Sequence, residues 1–206
     1  AFTFDGGDAN MTLTGRIVQT VAPTNAADPL LSVTNNHTGT LVFNEIVTGQ
    51  GVINATQGTG LFFDEADGAY TFNDEVALSG ATAVISVDGS ADTATFNFAD
   101  VDIAYTGASP GAAVSISNSD LQTFTISGAI DVAGVVGGRP VLINNNTGGS
   151  ITFNTTIDSS QNGILVTGNT DTTVLFAGQV TLNTTTNTGV SLSNNTNGGV
   201  RFNNID

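Results

Sequence analysis

The chain has 206 residues, with no cysteine, tryptophan or lysine, three arginines and 18 acidic residues, for a formal charge of -15. Three cations on so acidic a chain do not neutralise a row of phosphates, which excludes nucleic acid as a partner and argues against anionic membrane surfaces. Without cysteine there is neither a disulfide framework nor a thiolate metal site, and no apolar run approaches the roughly 20 residues of a membrane-spanning helix.

Hydrophobic residues make up 39% of the chain, glycine fills 25 positions, and threonine and asparagine together fill 54. That balance is too apolar for disorder and too poor in helix formers for a helical bundle. The opening segment AFTFDGGDAN has neither the basic nor the apolar stretch of an export signal, which places any such signal outside this chain.

In chain order the sequence repeats. SVTNNHTGTLVFNEI (32–46), VLINNNTGGSITFNTTI (141–157), ILVTGNTDTTVLFAGQV (164–180) and VSLSNNTNGGVRFNNI (190–205) share apolar alternation, an Asn/Gly corner, further alternation and a large apolar anchor. The anchors read as Leu13, Phe43, Phe72, Phe96, Phe124, Phe153, Phe176 and Phe202, with separations from 23 to 30 residues. Such spacing makes each repeat one unit of a solenoid.

Counting back eight to ten residues from each anchor gives a second column: Phe4, Val33, Phe63, Val87, Ile116, Ile143, Val166 and Leu192. All are large and apolar. Two residues earlier stand Leu31, Leu61, Ile85, Val114, Val141, Ile164 and Val190, so this segment has the period of two expected of a strand with one buried face. Two residues after the column come Gly6, Asn35, Glu65, Gly89, Asn118, Asn145, Gly168 and Asn194. Gly and Asn enter the left-handed backbone region at low cost, which predicts a sharp positive-φ bend once per repeat, with asparagines able to bond between coils.

A third short strand is predicted after the anchor, as in FNEIV (43–47), FADVDI (98–103), TISGAIDV (125–132) and AGQVTL (177–182). Parallel stacking of about eight such coils at roughly 4.8 Å would give a rod some 35 to 40 Å long. All four prolines, Pro23, Pro29, Pro110 and Pro140, are expected between a third strand and the next first strand, where most of the length variation also falls.

The NNHTGTLVF, NNTGGSITF and NNTNGGVRF segments resemble the right-handed parallel β-helix repeats of large bacterial surface and secreted proteins, of the autotransporter-passenger or filamentous-adhesin type. The resemblance implies an all-β solenoid of three strands per coil, a single unit over 1–206, and an extracellular or cell-surface location. The chain starts close to one strand and stops just after an anchor with no capping helix, which suggests a segment of a longer solenoid or a unit that stacks end to end. The partners implied are self-association along the solenoid axis, or a surface glycan or protein.

Few residues carry chemistry. Acids gather at Asp64, Glu65, Asp67, Asp74, Glu75, Asp88, Asp92, Asp100 and Asp102. Asp64 and Asp88 take the same repeat position one coil apart, so their carboxylates are expected within about 5 Å. Asp64, Asp67, Asp74 and Asp88 are the weak candidate metal patch, and calcium is the cation such spacing would suit, although the β-roll calcium motif is absent. No catalytic or cofactor-binding residue is assigned. Polysaccharide lyases of this fold pair calcium-binding carboxylates with Arg or Lys as base, and here lysine is missing and Arg16, Arg139 and Arg201 stand at unrelated repeat positions.

His37, the only histidine, follows Asn35 and Asn36 and reads as an exposed turn residue. Thr71, Thr95, Thr123 and Thr152 form an outward file, but Val42, Leu175 and Arg201 interrupt it, which makes ice binding the less favoured use of this fold. The reading favoured by the sequence is a non-enzymatic structural or adhesive rod. The alternative is a carbohydrate-binding or polysaccharide-cleaving β-helix using the acids near residues 64–102.

Overall fold

The computed structural model describes residues 2–21, 28–55, 60–82, 84–107, 111–133, 138–184 and 187–206. The first coil holds β1 (Phe2–Asp5), β2 (Met11–Thr14) and β3 (Ile17–Gln19), and the second holds β4 (Leu31–Thr34), β5 (Thr40–Asn44) and β6 (Ile53–Ala55). From there each coil has two strands: β7 (Leu61–Asp64) and β8 (Ala69–Gly80), β9 (Ile85–Asp88) and β10 (Thr95–Tyr105), β11 (Ala112–Ser117) and β12 (Asp120–Val132). The last three pairs are β13 (Arg139–Asn144) and β14 (Gly148–Ser159), β15 (Ile164–Thr167) and β16 (Thr173–Leu182), β17 (Val190–Ser193) and β18 (Gly199–Ile205).

The first strand of every coil joins an eight-stranded parallel sheet in the order β1-β4-β7-β9-β11-β13-β15-β17. The eight second strands, together with β3 and β6, which pair with each other and through β6 with β8, form a ten-stranded parallel sheet. The molecule is therefore an all-β parallel solenoid of about seven turns, with no helix among the described residues.

The sequence expectation of three strands per coil holds in the first two coils only. From β8 onward the third strand continues the second without a break. A register shift between Phe98 and Val101 against β12, and between Phe98 and Asp100 against β8, marks the bulge where the strand bends. An extra residue at a bulge turns a strand without ending it, so a corner is replaced by a bend. Gly128, at φ 113, takes that bend in β12.

The core is built from the inward files. The second column stands in register throughout, Phe4 with Val33, Phe63 with Val87, Ile116 with Ile143 and Val166 with Leu192. The anchor column needs correction at two places. Phe98 pairs with Phe72 and Ile126 with Phe153, whereas Phe96 pairs with Tyr70 and with Phe124. The anchors of the fourth and fifth coils are thus Phe98 and Ile126, and Phe96 and Phe124 belong to the neighbouring inward file. A shift of two residues leaves every side chain on the same face, so apolar alternation is blind to it.

Aromatic rings stack along these files. Phe72 lies 4.4 Å from Phe43 and 4.7 Å from Phe98, nearly parallel to both, and Phe176 lies 4.9 Å from Phe153 and 4.6 Å from Phe202. Consecutive rungs separated by about 4.8 Å dictate this stacking distance.

All eight residues expected at the bend have positive φ, from 51° at Asn118 to 70° at Gly168. Their backbone N–H groups continue the ladder around the corner, as in Glu65 N to Asp88 O at 2.9 Å and Asn145 N to Thr167 O at 3.0 Å. Pro140 lies inside β13 rather than between strands, as its second residue, where a missing N–H interrupts little. Pro29 precedes β4 as expected, and Pro23 and Pro110 lie outside the described residues.

Candidate functional site

The outer surface divides into regions of different chemistry. On the ten-stranded sheet, outward positions align as Thr40, Ala69, Thr95, Thr123, Ser150, Thr173 and Gly199. Beside this file runs a second one, Thr12, Val42, Thr71, Asn97, Thr125, Thr152, Leu175 and Arg201. The four threonines expected in one file thus lie in two adjacent ones. Neither file contains an acid, and the single charge is Arg201 on the last rung. Variation in coil length does not disturb either file, because the register of these strands runs unbroken from β5 to β18 over this stretch. Above Thr152, Leu175 and Arg201 the face has a shallow depression of about 360 Å³.

The candidate acidic patch separates into two groups. Asp64 and Asp88 are register partners at the ends of β7 and β9, as the repeat predicts. Asp88 also accepts from Asn118 Nδ2 at 2.8 Å. Asp67 occupies the following turn, where its Oδ1 accepts from Ala91 N at 2.8 Å. Asp74 lies on the other sheet, at the bulge, with Oδ2 accepting from Glu45 N at 2.9 Å.

At this bulge Asp74, Glu75 and Asp100 come together with Glu45 around an open groove of about 460 Å³. Glu45 was not among the sequence candidates. Once Phe98 replaces Phe96 as the anchor, Glu45, Asp74 and Asp100 all fall two residues after an anchor, and that recurrence is the signal that the two-residue slip concealed. Desolvation raises the pKa of Glu45, but hydrogen bonds from the N–H groups of Gly49, Gly51 and Gln50 outweigh it and hold the carboxyl below its ordinary value. The carboxylate therefore serves as an acceptor that closes the 45–51 turn. Among the described residues no group of three or more His, Asp or Glu side chains has the arrangement of a metal site.

His37 departs from expectation. It is fully buried and forms a bridge with Ala66, one step inside the corner. Its Nε2 donates to Ala9 O at 3.1 Å, its Nδ1 lies 3.1 Å from the Tyr70 hydroxyl, and its ring lies between Phe4 and Tyr70. Beyond Ala66 the same interior corner is polar from the fourth coil on. Ser90, Ser119, Asn146 and Asn169 are buried there and bond from rung to rung.

In that interior ladder Asn169 Oδ1 accepts from both Asn146 N at 3.0 Å and Asn146 Nδ2 at 2.9 Å. Asn195 Oδ1 accepts in turn from Asn169 Nδ2 at 2.8 Å. An exterior ladder links Asn145 Nδ2 to Asn118 Oδ1 at 3.5 Å, which is the interstrand bonding expected of stacked asparagines. The interior ladder was not foreseen, because polar residues on an inward face break the apolar pattern on which a sequence reading relies.

No family model, curated protein or solved structure matches the chain. What distinguishes its surface is therefore its own geometry: a neutral face rich in hydroxyl groups on the part of the ten-stranded sheet before the bulge, and carboxylates on the other sheet, at the bulge and corners, and beyond the bulge at Asp102, Asp131 and Asp158.

Proposed function

We propose that the chain is a non-enzymatic structural or adhesive rod of an extracellular or cell-surface protein, as its repeats resemble those of autotransporter passengers and filamentous adhesins. The observation that carries this reading is the outer face of the ten-stranded sheet before the bulge, which holds no acid and a single charge, Arg201, on its last rung. On a chain of charge -15, a lattice of Thr, Ser and Asn that recurs on each rung from Thr12 to Thr173 is the surface best suited to an uncharged partner that is itself extended. The buried Phe files behind it hold the backbone of each rung in place, so the face meets that partner with little ordering cost.

The edge strands give a second means of assembly. β1 and β17 end the first sheet, and Phe2, Leu192 and Ile205 are exposed beside the edges. Unpaired strand edges with apolar neighbours accept a further parallel coil, from the same or another chain.

Adsorption to a neutral glucan film tests the face directly. Thr125→Asp and Thr152→Asp should reduce adsorption, while Ser86→Asp and Ser115→Asp, outward on the opposite sheet, should leave it unchanged. Equal adsorption by all four variants and the parent chain would remove the proposal.

The alternative reading, a carbohydrate-binding or polysaccharide-cleaving β-helix using the acids of residues 64–102, is supported by the adjacency of Asp64 and Asp88. Under that reading Asp64→Asn or Asp88→Asn abolishes polysaccharide turnover without moving the melting temperature.

A further inference from the structure

Arg139 differs from the other two arginines. Arg16 and Arg201 are exposed, whereas Arg139 is partly buried at the start of β13, in register with Ala112 of the preceding rung. A guanidinium thus occupies a position that a methyl group fills one coil earlier. Burial lowers its pKa from the ordinary arginine value, and no carboxylate offsets that effect. All 18 acidic residues belong to the described part of the chain, and none of them lines the groove beside Arg139. Proteins rarely take a cation out of water without pairing it.

The groove has a volume of about 280 Å³ and is lined by Arg139, Asn162, Asn187, Thr188 and Ser191 beside Leu165. It therefore presents one fixed positive charge within a ring of amides and hydroxyls. Those neutral groups both donate and accept hydrogen bonds, which suits a ligand bearing several hydroxyls. A polysulfated chain would call for several cations, and a neutral sugar would leave the guanidinium unanswered. We propose that this groove binds a uronic acid residue of an acidic polysaccharide, with the carboxylate on the Arg139 fork and the ring hydroxyls on Asn187, Thr188 and Ser191. The planar guanidinium takes a carboxylate through two parallel N–H bonds, a geometry lysine does not reproduce. The site is separate from the neutral face, so its failure would leave that reading standing.

Titration calorimetry of the whole 206-residue chain with trimannuronate tests the proposal, in about 0.15 M salt so that the net negative charge is screened beyond roughly 8 Å. Saturable binding is expected, weakened about tenfold or more by Arg139→Gln, weakened less by Arg139→Lys and unchanged by Arg201→Gln. Maltotriose, with hydroxyls and no carboxylate, and acetate, with a carboxylate and no hydroxyls, should each bind far more weakly. Thermal melting of each variant verifies folding, and Arg139→Lys carries the comparison if Arg139→Gln melts early. The proposal is overturned if trimannuronate gives no saturable heat, if neither Arg139 variant weakens binding, if Arg201→Gln weakens it equally, or if acetate binds as tightly as trimannuronate.

Discussion

The hydroxyl of Tyr70 donates to the backbone carbonyl of His37 at 2.8 Å and accepts from Gly68 N at 3.0 Å, so one side chain ties two successive corners together from inside. Both residues are fully buried. Tyr70→Phe keeps the ring but leaves the His37 carbonyl and the Gly68 N–H without that partner. The His37 carbonyl keeps the Asp67 N–H at 2.9 Å, so the Gly68 N–H is the buried group left without a partner, and the variant should lose about 1–3 kcal/mol. Denaturant unfolding followed by far-UV circular dichroism measures the loss, and a change below 1 kcal/mol would show that the corner closes without this hydroxyl.

The same burial makes a prediction in alkali. Desolvation raises the pKa of Tyr70 from 10.0 to about 12, against a lowering by the Gly68 N–H and with a smaller upward push from Asp67. Burial also raises Tyr105. A group whose folded pKa is raised keeps its contribution below the unfolded pKa and loses it as pH climbs through the folded value. Stability should therefore be flat up to about pH 10 and fall from there towards pH 12. With two tyrosines and no tryptophan in the chain, absorbance of the phenolate reports the titration without interference. Ionisation of either tyrosine below pH 10 in the folded chain would contradict the burial.

The interior asparagine ladder should be worth more than the exterior one. Asn169→Ala removes the acceptor of Asn146 N and Nδ2 and the donor to Asn195 Oδ1, all inside the coil. Asn146 N is left without its partner, while Asn146 Nδ2 keeps Ile116 O and Asn195 Oδ1 keeps Asn169 N, and the expected cost is about 2–4 kcal/mol. Asn145 on the exterior is exposed, with φ 57°. Asn145→Gly retains that conformation and should stay within about 0.5 kcal/mol of the parent. Comparable losses from the two variants in parallel urea titrations would mean that the ladder owes nothing to burial.

These contrasts also show what was legible in the sequence. The second column and the positive-φ corners were readable because each combines a residue type with a fixed offset, and both stand in the structure at all eight rungs. Phe96 and Phe124 were misplaced because a strand of period two looks the same after a slip of two residues. The continuous third strand was hidden because a bulge leaves no mark on apolar alternation. His37 looked like an exterior turn residue because it follows two asparagines, yet it bridges Ala66 inside the corner. Recurrence of Ser90, Ser119, Asn146, Asn169 and Asn195 directly after the bend residue was the available sign of a buried polar file. The acids two residues beyond the true anchors were similarly present, and became visible only once the register was known.

One corner departs from the rule that the other seven follow. Glu65 takes φ 52° where the equivalent residues are Gly or Asn. A side chain other than Gly or Asn costs roughly 1–2 kcal/mol in this region. Its backbone bond to Asp88 O, at 2.9 Å, belongs to the main chain and survives substitution. Glu65→Asn relieves the strain, adds an amide next to Asn35 in the exterior file and removes one carboxylate from the crowded run that includes Asp64 and Asp67. It also avoids the extra backbone entropy that glycine carries in the unfolded chain. The expected outcome is a gain of about 0.5–1 kcal/mol, with Glu65→Gly gaining less. Glu65→Ala, which keeps the strain and loses the side chain, should give no gain in the same denaturant series. If Glu65→Asn destabilises the chain, the carboxylate has a role at this corner that outweighs the strain, and the acids around Asp64 and Asp88 become the place to look for it.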